Sequence, residues 1–192
     1  VEKIMQIGAL IRRSLVHFGD APCLTEGERT VSFRQFDELT DRLGNSLLDL
    51  GLNAGDRVGV LLPNGIDCLV AYYALAKAGL VRVSLNSRDD MESHRYKLGD
   101  SGSRAVIHYG VSDLEAELSI SSAQLAKFLE TGSTAPCMAD RALDAPFRLG
   151  YTGGTTGKPK AVTLTTRGEL AELSVFLTDL MPDIRYGELF LL

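Results

Sequence analysis

Cysteine is scarce in this chain: three residues, at 23, 68 and 137, in 192. The count is odd, the positions lie far apart, and no Cys-x-x-Cys occurs, so neither a disulfide framework nor a zinc site is indicated. Reduced thiols in a cytoplasmic protein are the expectation. Positive charge is also in short supply, with 20 Lys and Arg against 25 Asp and Glu and a net charge of -5. The basic residues are scattered, which argues against a nucleic-acid surface, since that needs a basic patch or stripe. No apolar run is long enough to span a bilayer. The longest, "CLVAYYALAKAGLV" from Cys68 to Val81, is interrupted by Lys77 and Gly79, so no transmembrane segment is expected. The N-terminal stretch carries Glu2 and Arg12-Arg13 inside its apolar pattern, which reads as an amphipathic helix and not a signal peptide. Internal repeats are missing, as is any linker rich enough to mark a domain boundary.

What is present suits a folded domain: 45% of residues are hydrophobic, enough for a core and too many for a disordered chain. Ile4, Ile7, Leu10, Ile11, Leu15 and Phe18 recur at helical spacing. "APCLTEGERTVSF" reads as two short strands about a Glu26-Gly27 turn. Ser32 stands three residues before Gln35, a capping box for a helix with Phe36, Leu39, Leu43, Leu47, Leu48 and Leu50 on one face and Gly51 as its stop. "RVGVLLP" is a strand. Asn64 is expected to cap the next helix, "GIDCLVAYYALAKAG", which is apolar almost all round and should be buried. "LVRVSL", a short polar helix "DDMESHRYKLGD" and the strand "RAVIHY" follow. This alternation predicts parallel βαβ units with right-handed crossovers, an α/β fold built on a mostly parallel sheet with flanking helices. Residues 111 to 145 give a weak signal, with one helix at "SSAQLAKFLE" and loop after it. "FRLGY", "AVTLT" and "ELFLL" read as strands, with a helix "TRGELAELSVFLTDL" before the last.

Most single residues have ordinary readings. His17, His94 and His108 lack metal-like spacing. Asp37, Glu38 and Asp41 read as a solvated acidic helix face, and Arg12-Arg13 as surface. Tyr72 and Tyr73 read as core, and Cys68 as a small buried apolar residue. No metal ligands and no catalytic residue stand out.

The exception is "GYTGGTTGKPKAV", Gly150 to Val162. It lies between two strands, yet eight of its first nine residues are Gly, Thr or Lys. Gly153, Gly154 and Gly157 let backbone amides turn inward and approach a ligand without a Cβ clash. Successive amides in such turns make an anion-binding hollow. Thr152, Thr155 and Thr156 add hydroxyl donors, and Lys158 and Lys160 add charge. These are the parts needed to hold phosphate oxygens. The stretch is not a mononucleotide P-loop, because Pro159 stands where the magnesium-binding hydroxyl belongs. Pro159 also biases Lys158 away from helical angles, so the loop should exit into an extended segment. With few apolar anchors, the loop is expected to be mobile when empty.

"YTGGTTGKPKAV" resembles the phosphate-binding signature of the adenylate-forming superfamily, which includes acyl-CoA synthetases, luciferases and peptide-synthetase adenylation domains. The stretch from "VSFRQFDELTDRLGNSLLDLGLNAGDRVGVLLPN" through the "KAG" helix end to "LNSR", and then "YKLGDSGSRAVI", resembles the family's N-terminal region. The resemblance implies the N-terminal portion of the acyl-CoA synthetase-like fold. It implies that Thr152, Gly153, Gly154, Thr155, Thr156 and Gly157 wrap the β- and γ-phosphates of ATP, with Lys158 and Lys160 nearby. It implies ATP, Mg2+ and CoA as cofactors and a small-molecule carboxylic acid, of the fatty-acid type, as substrate. Ala161, Thr166, Gly168 and Gly153 depart from the family's usual residues and leave affinity and substrate open. The family's adenine, ribose and magnesium motifs and its C-terminal lysine have no counterpart here. Residues 1–192 are therefore expected to be a partial N-terminal AMP-binding domain, inactive by itself as a ligase. The Val1 start and the apolar "GELFLL" ending fit that expectation and leave a homodimer through the end strand open. The alternatives are an amino-acid adenylation domain, a carrier-protein ligase, or a non-catalytic phosphate-binding module.

Overall fold

A computed structural model describes residues 7–110, 113–152, 158–181 and 183. The first helix, α1 (Ile7–Phe18), leads into an antiparallel hairpin of β1 (Pro22–Glu26) and β2 (Arg29–Ser32). Then come α2 (Phe33–Asp49), β3 (Arg57–Leu61), α3 (Ile66–Lys77), β4 (Val81–Ser84), α4 (Met91–Ser101) and β5 (Ser103–His108). They are followed by β6 (Leu118–Ser121), α5 (Ser122–Thr131), β7 (Pro146–Thr152), β8 (Lys160–Thr165) and α6 (Thr166–Val175), which runs on into a π-helical turn, Phe176–Leu180. Six strands form one sheet in the order β6-β5-β3-β4-β7-β8. Every pair in it is parallel except β7 with β8.

The strands alternate as a sheet covered on both faces requires. Val58 and Val60 of β3 and Ala105 and Ile107 of β5 face one core, shared with Leu43 and Leu47 of α2, Val70 and Leu75 of α3, and Leu125 of α5. Val81 and Val83 of β4 and Val106 of β5 face the other, with Leu98 of α4 and Leu149 of β7. Gly59 marks a close approach on that second face: a Cβ there would stand 2.5 Å from Leu98 Cδ2. The absent side chain lets α4 lie against β3.

The capping box forms as expected: Gln35 N donates to Ser32 Oγ at 3.2 Å and Ser32 N to Gln35 Oε1 at 2.8 Å. A second box, Ser121 with Gln124, starts α5 directly after β6. Asn64 is not the cap of α3. Gly65 takes that position with no side-chain cap, and the orphan amide of Ile66 donates 3.0 Å to a carboxylate oxygen of Glu26 on the β1–β2 hairpin. A long-range carboxylate thus does what local spacing assigned to Asn64, and it ties the hairpin to α3. The expected "ELFLL" strand lies outside the described residues.

The acidic face expected on α2 holds for Glu38, which is exposed, and is corrected at the other two residues. Asp37 and Asp41 are buried, not solvated, and they close on the ammonium of Lys77 at the end of α3. Lys77 Nζ donates to the Asp37 carboxylate and, at 3.0 Å each, to Asp37 O and Asp41 Oδ1. Arg12, read as surface, reaches Asp41 Oδ2 at 2.6 Å from α1. Lys77 and the two carboxylates are therefore desolvated together, with the partly exposed Arg12 closing the cluster, the condition under which such charges are tolerated.

His94 and His108 are both buried, and burial holds both imidazoles below the usual value of 6.5. Their Nδ1 atoms find no hydrogen-bond partner among the described residues; His108 Nε2 lies 2.9 Å from Ser119 Oγ. A folded value below the unfolded one means that the unfolded chain binds the extra proton. The neutral rings are compatible with the fold above about pH 6.5, and stability is lost as pH falls from there through the folded values, by up to about 1.4 kcal/mol per pH unit for each histidine. Urea midpoints measured between about pH 7.5 and 5.5 should fall, and a His94→Gln/His108→Gln double variant should flatten that slope. An unchanged slope would remove the histidines as its cause.

Candidate phosphate-binding site

The Gly/Thr stretch sits at the tip of the sheet's only antiparallel pair among the described residues. β7 and β8 run in register from Leu149↔Thr163 to Thr152↔Lys160, so the stretch is a hairpin whose neck is Thr152 opposite Lys160. Thr152 Oγ1 donates 3.4 Å to Lys160 O across that neck. Residues paired across a ladder project to the same face, which puts the Thr152 hydroxyl and the Lys160 ammonium on one side of the neck. Both are exposed, as is Lys158. Beyond Pro159 the chain enters β8 and not a helix, as the proline implied. Of the eight residues assigned to phosphate binding, Thr152, Lys158 and Lys160 come together here. Gly153, Gly154, Thr155, Thr156 and Gly157, and with them the expectation of mobility, lie outside the described residues.

α4 buttresses the hairpin, which sequence reasoning missed. Tyr96 Oη donates 3.1 Å to Pro159 O, and the Lys158 ammonium stands 5.2 Å from the centre of the Tyr96 ring, a cation–π distance. Tyr151, at the other side of the neck, donates 2.8 Å to Asp100 Oδ2 and 3.2 Å to Lys97 O. Burial, followed by the bond to Asp100, pushes the Tyr151 phenol well up, so it stays a donor. The signal available in the sequence was slight: Tyr96 is the one aromatic residue of an otherwise polar helix.

The donor set of the neck is hydroxyl and ammonium. It fits phosphate oxygens, and its charge is opposite to what a bare cation needs. No cluster of three His, Cys, Asp or Glu able to hold a metal occurs among the described residues.

The family model for AMP-binding enzymes matches residues 11–186. The chain belongs to the AMP-binding enzyme family. It is 30% identical over 176 residues to the long-chain-fatty-acid–CoA ligase FadD13 of Mycobacterium tuberculosis, a match covering 84% of this chain and 34% of the ligase. It is 30% identical to a feruloyl-CoA synthase of an Amycolatopsis species, over 76% of this chain and 30% of that enzyme. Malpibaldin synthetase of Mortierella alpina is 31% identical over 78% of this chain and 3% of its own great length. Among solved structures, the inhibitor-bound N-terminal domain of FACL13 from Mycobacterium tuberculosis superposes with a TM-score of 0.88 at 26% identity, over 95% of this chain and 49% of that domain. The AMP-binding chain thus spans about a third of the CoA ligases that it matches and half of the FACL13 domain. These neighbours bear out the mostly parallel sheet with flanking helices as the N-terminal part of an acyl-CoA synthetase fold.

Proposed function

We propose that this chain supplies the polyphosphate-gripping part of an AMP-forming acid–thiol ligase. The observation that carries the reading is the hairpin neck, where Thr152 and Lys160 pair at the mouth of a Gly/Thr loop and Tyr96 pins the exit. ATP, when bound, supplies the adenylyl group. A carboxylate oxygen bonds to the α-phosphorus while the bond to pyrophosphate breaks; a thiol then takes the acyl carbon and AMP leaves. The chain's own part is at the leaving group. Charge builds on the departing pyrophosphate, and donors fixed before the reaction stabilise it without reorganising. Lys160 does so from a strand position, Lys158 from a segment held by Tyr96, and the loop from Thr152 to Gly157 through its amides and hydroxyls.

The substrate we propose is a carboxylic acid of the fatty-acid class, with CoA as the acceptor. The FadD13 and FACL13 similarities support this choice, the first as a long-chain-fatty-acid–CoA ligase and the second through its TM-score of 0.88. The synthetase similarity keeps an amino acid and a carrier-protein thiol as the second reading. The acyl pocket and the adenine, ribose and magnesium contacts we assign to residues that this chain does not contain, which makes it a partial N-terminal domain. The 192-residue chain is therefore expected to bind pyrophosphate and ATP but to release no pyrophosphate from ATP with CoA and a panel of fatty, aromatic and amino acids. Turnover in that assay would overturn the partial-domain reading. Failure to bind either phosphate compound in calorimetry would overturn the phosphate reading.

A further inference from the structure

A cleft of about 380 Å3 opens between α1, α3, β4, β7 and α6, within the size range of small-molecule sites. Its walls are mostly apolar and aromatic, from Leu10, Tyr72, Tyr73, Phe147 and Leu173 among others. One cation stands in it. Arg82 of β4 lies on the face of the sheet opposite to Val81 and Val83, so its side chain falls under α3 and not in the second core. Its guanidinium carbon sits 3.9 Å from the centre of the Tyr72 ring. Its Nε is shut off from solvent and has no hydrogen-bond acceptor among the described residues.

Arg12 and Arg95 also bury an unpaired Nε, but each reaches a carboxylate through Nη2; a buried N–H without an acceptor costs free energy. Burial, the largest influence on it, holds the Arg82 guanidinium below the usual arginine range. The carboxylate in the same wall attracts the guanidinium, but its influence is smaller than that of burial. Glu169 of α6 is taken by Arg148 of β7, the residue beside Arg82 in the sheet. Ser14 of α1 is engaged as well, donating 3.2 Å to Leu10 O. The stacked Tyr72 ring covers a face of the guanidinium and leaves its fork of N–H groups to an in-plane acceptor.

We propose that this cleft is a binding site for a small organic monocarboxylate with an aromatic or branched apolar body, received by Arg82. The planar fork matches a carboxylate's two oxygens. The apolar walls take the body of the acid. A phosphate or other dianion is disfavoured by Glu169 in the wall and by the scarcity of further donors. Arg148, which pairs with Arg82 in the ladder, is four residues before Thr152 on β7, so the site lies down the strand from the hairpin neck and is separate from it. The inference does not rest on the phosphate reading.

Calorimetric titration of the 192-residue chain with phenylacetate, with phenylacetamide as the uncharged counterpart, tests it. Phenylacetate should bind, the amide about tenfold or more weaker, and inorganic phosphate should not compete. Arg82→Met should weaken phenylacetate about tenfold or more with Arg82→Lys in between, because lysine keeps the charge and loses the fork. Lys160→Ala should leave phenylacetate binding unchanged while altering pyrophosphate binding, which separates the two sites. Should Arg82→Met not fold, the acid–amide contrast on the unaltered chain decides. Equal affinity for acid and amide, no binding of phenylacetate, or displacement by phosphate would each overturn the proposal.

Discussion

An Asp41→Ala variant is expected to lose about 3 to 5 kcal/mol of stability, the range found when one member of a buried ionic cluster is removed. Asp41 serves three elements at once. Its Oδ1 accepts from Lys77 Nζ and from Cys137 N, both at 3.0 Å, and its Oδ2 accepts from Arg12 at 2.6 Å. Truncation leaves Lys77, whose side chain is 0% exposed, with one carboxylate where it had two. It also orphans the Cys137 amide and releases α1. The exposed pair Arg29–Asp67, with both side chains nearly half exposed, is the control: Asp67→Ala should cost no more than about 1 kcal/mol, because water already solvates both partners. Urea midpoints at constant m-value measure both. A second readout follows from Cys137, whose thiol burial pushes up to about 11. When the loop that carries it loosens, labelling of that thiol should speed up in Asp41→Ala and not in Asp67→Ala. A loss below about 1 kcal/mol in Asp41→Ala would show that the cluster is not a determinant of stability.

The same cluster marks the limit of what local pattern could reveal. Periodicity gives the helices, strands and alternation, because each depends on neighbours a few residues apart: Leu43 and Leu47 on one face of α2, Val58 and Val60 on one face of β3. The signature gave a loop between two strands with an extended exit, but not the antiparallel pairing of β7 with β8 that makes it a hairpin. Asp37 and Asp41 share a helix face that spacing alone reads as solvated, and only Lys77, some 40 positions on, makes it an interior. The irregular segment after α5 was equally opaque. It packs without a pattern of its own, through polar anchors from distant helices: Asn45 Nδ2 donates to Ser133 O and Ala135 O at 2.9 and 2.8 Å, Ala139 N donates to Lys77 O at 2.7 Å, and Arg141 donates to Gly79 O at 2.6 Å. β6 escaped notice because four residues, Leu118–Ser121, are too few to show alternation. Tyr96 escaped because its role lies in a partner, Pro159, 63 positions away.

Lys160→Ala is expected to weaken pyrophosphate binding by about ten- to a hundredfold, the loss that follows from removing one charge-assisted contact to a phosphate. The expectation differs for the two lysines of the hairpin. Lys160 is in β8 and paired with Thr152, so its backbone position is fixed before binding and only its side chain has to be ordered. Lys158 lies before Pro159, outside the ladder, and already faces the Tyr96 ring. Part of its attraction is spent there, and Lys158→Ala should cost less than Lys160→Ala. Tyr96→Phe keeps the ring and removes the hydroxyl that holds Pro159 O, so it should cost a few-fold at most, about the worth of one neutral hydrogen bond. Raising the salt concentration should weaken the unaltered chain more than Lys160→Ala, since the contact lies at an exposed neck where ions screen it. Titration calorimetry with pyrophosphate at two salt concentrations reads all four effects. If Lys160→Ala binds pyrophosphate as tightly as the unaltered chain, the neck is not where the anion sits, and the hairpin would be a connection between strands without a ligand.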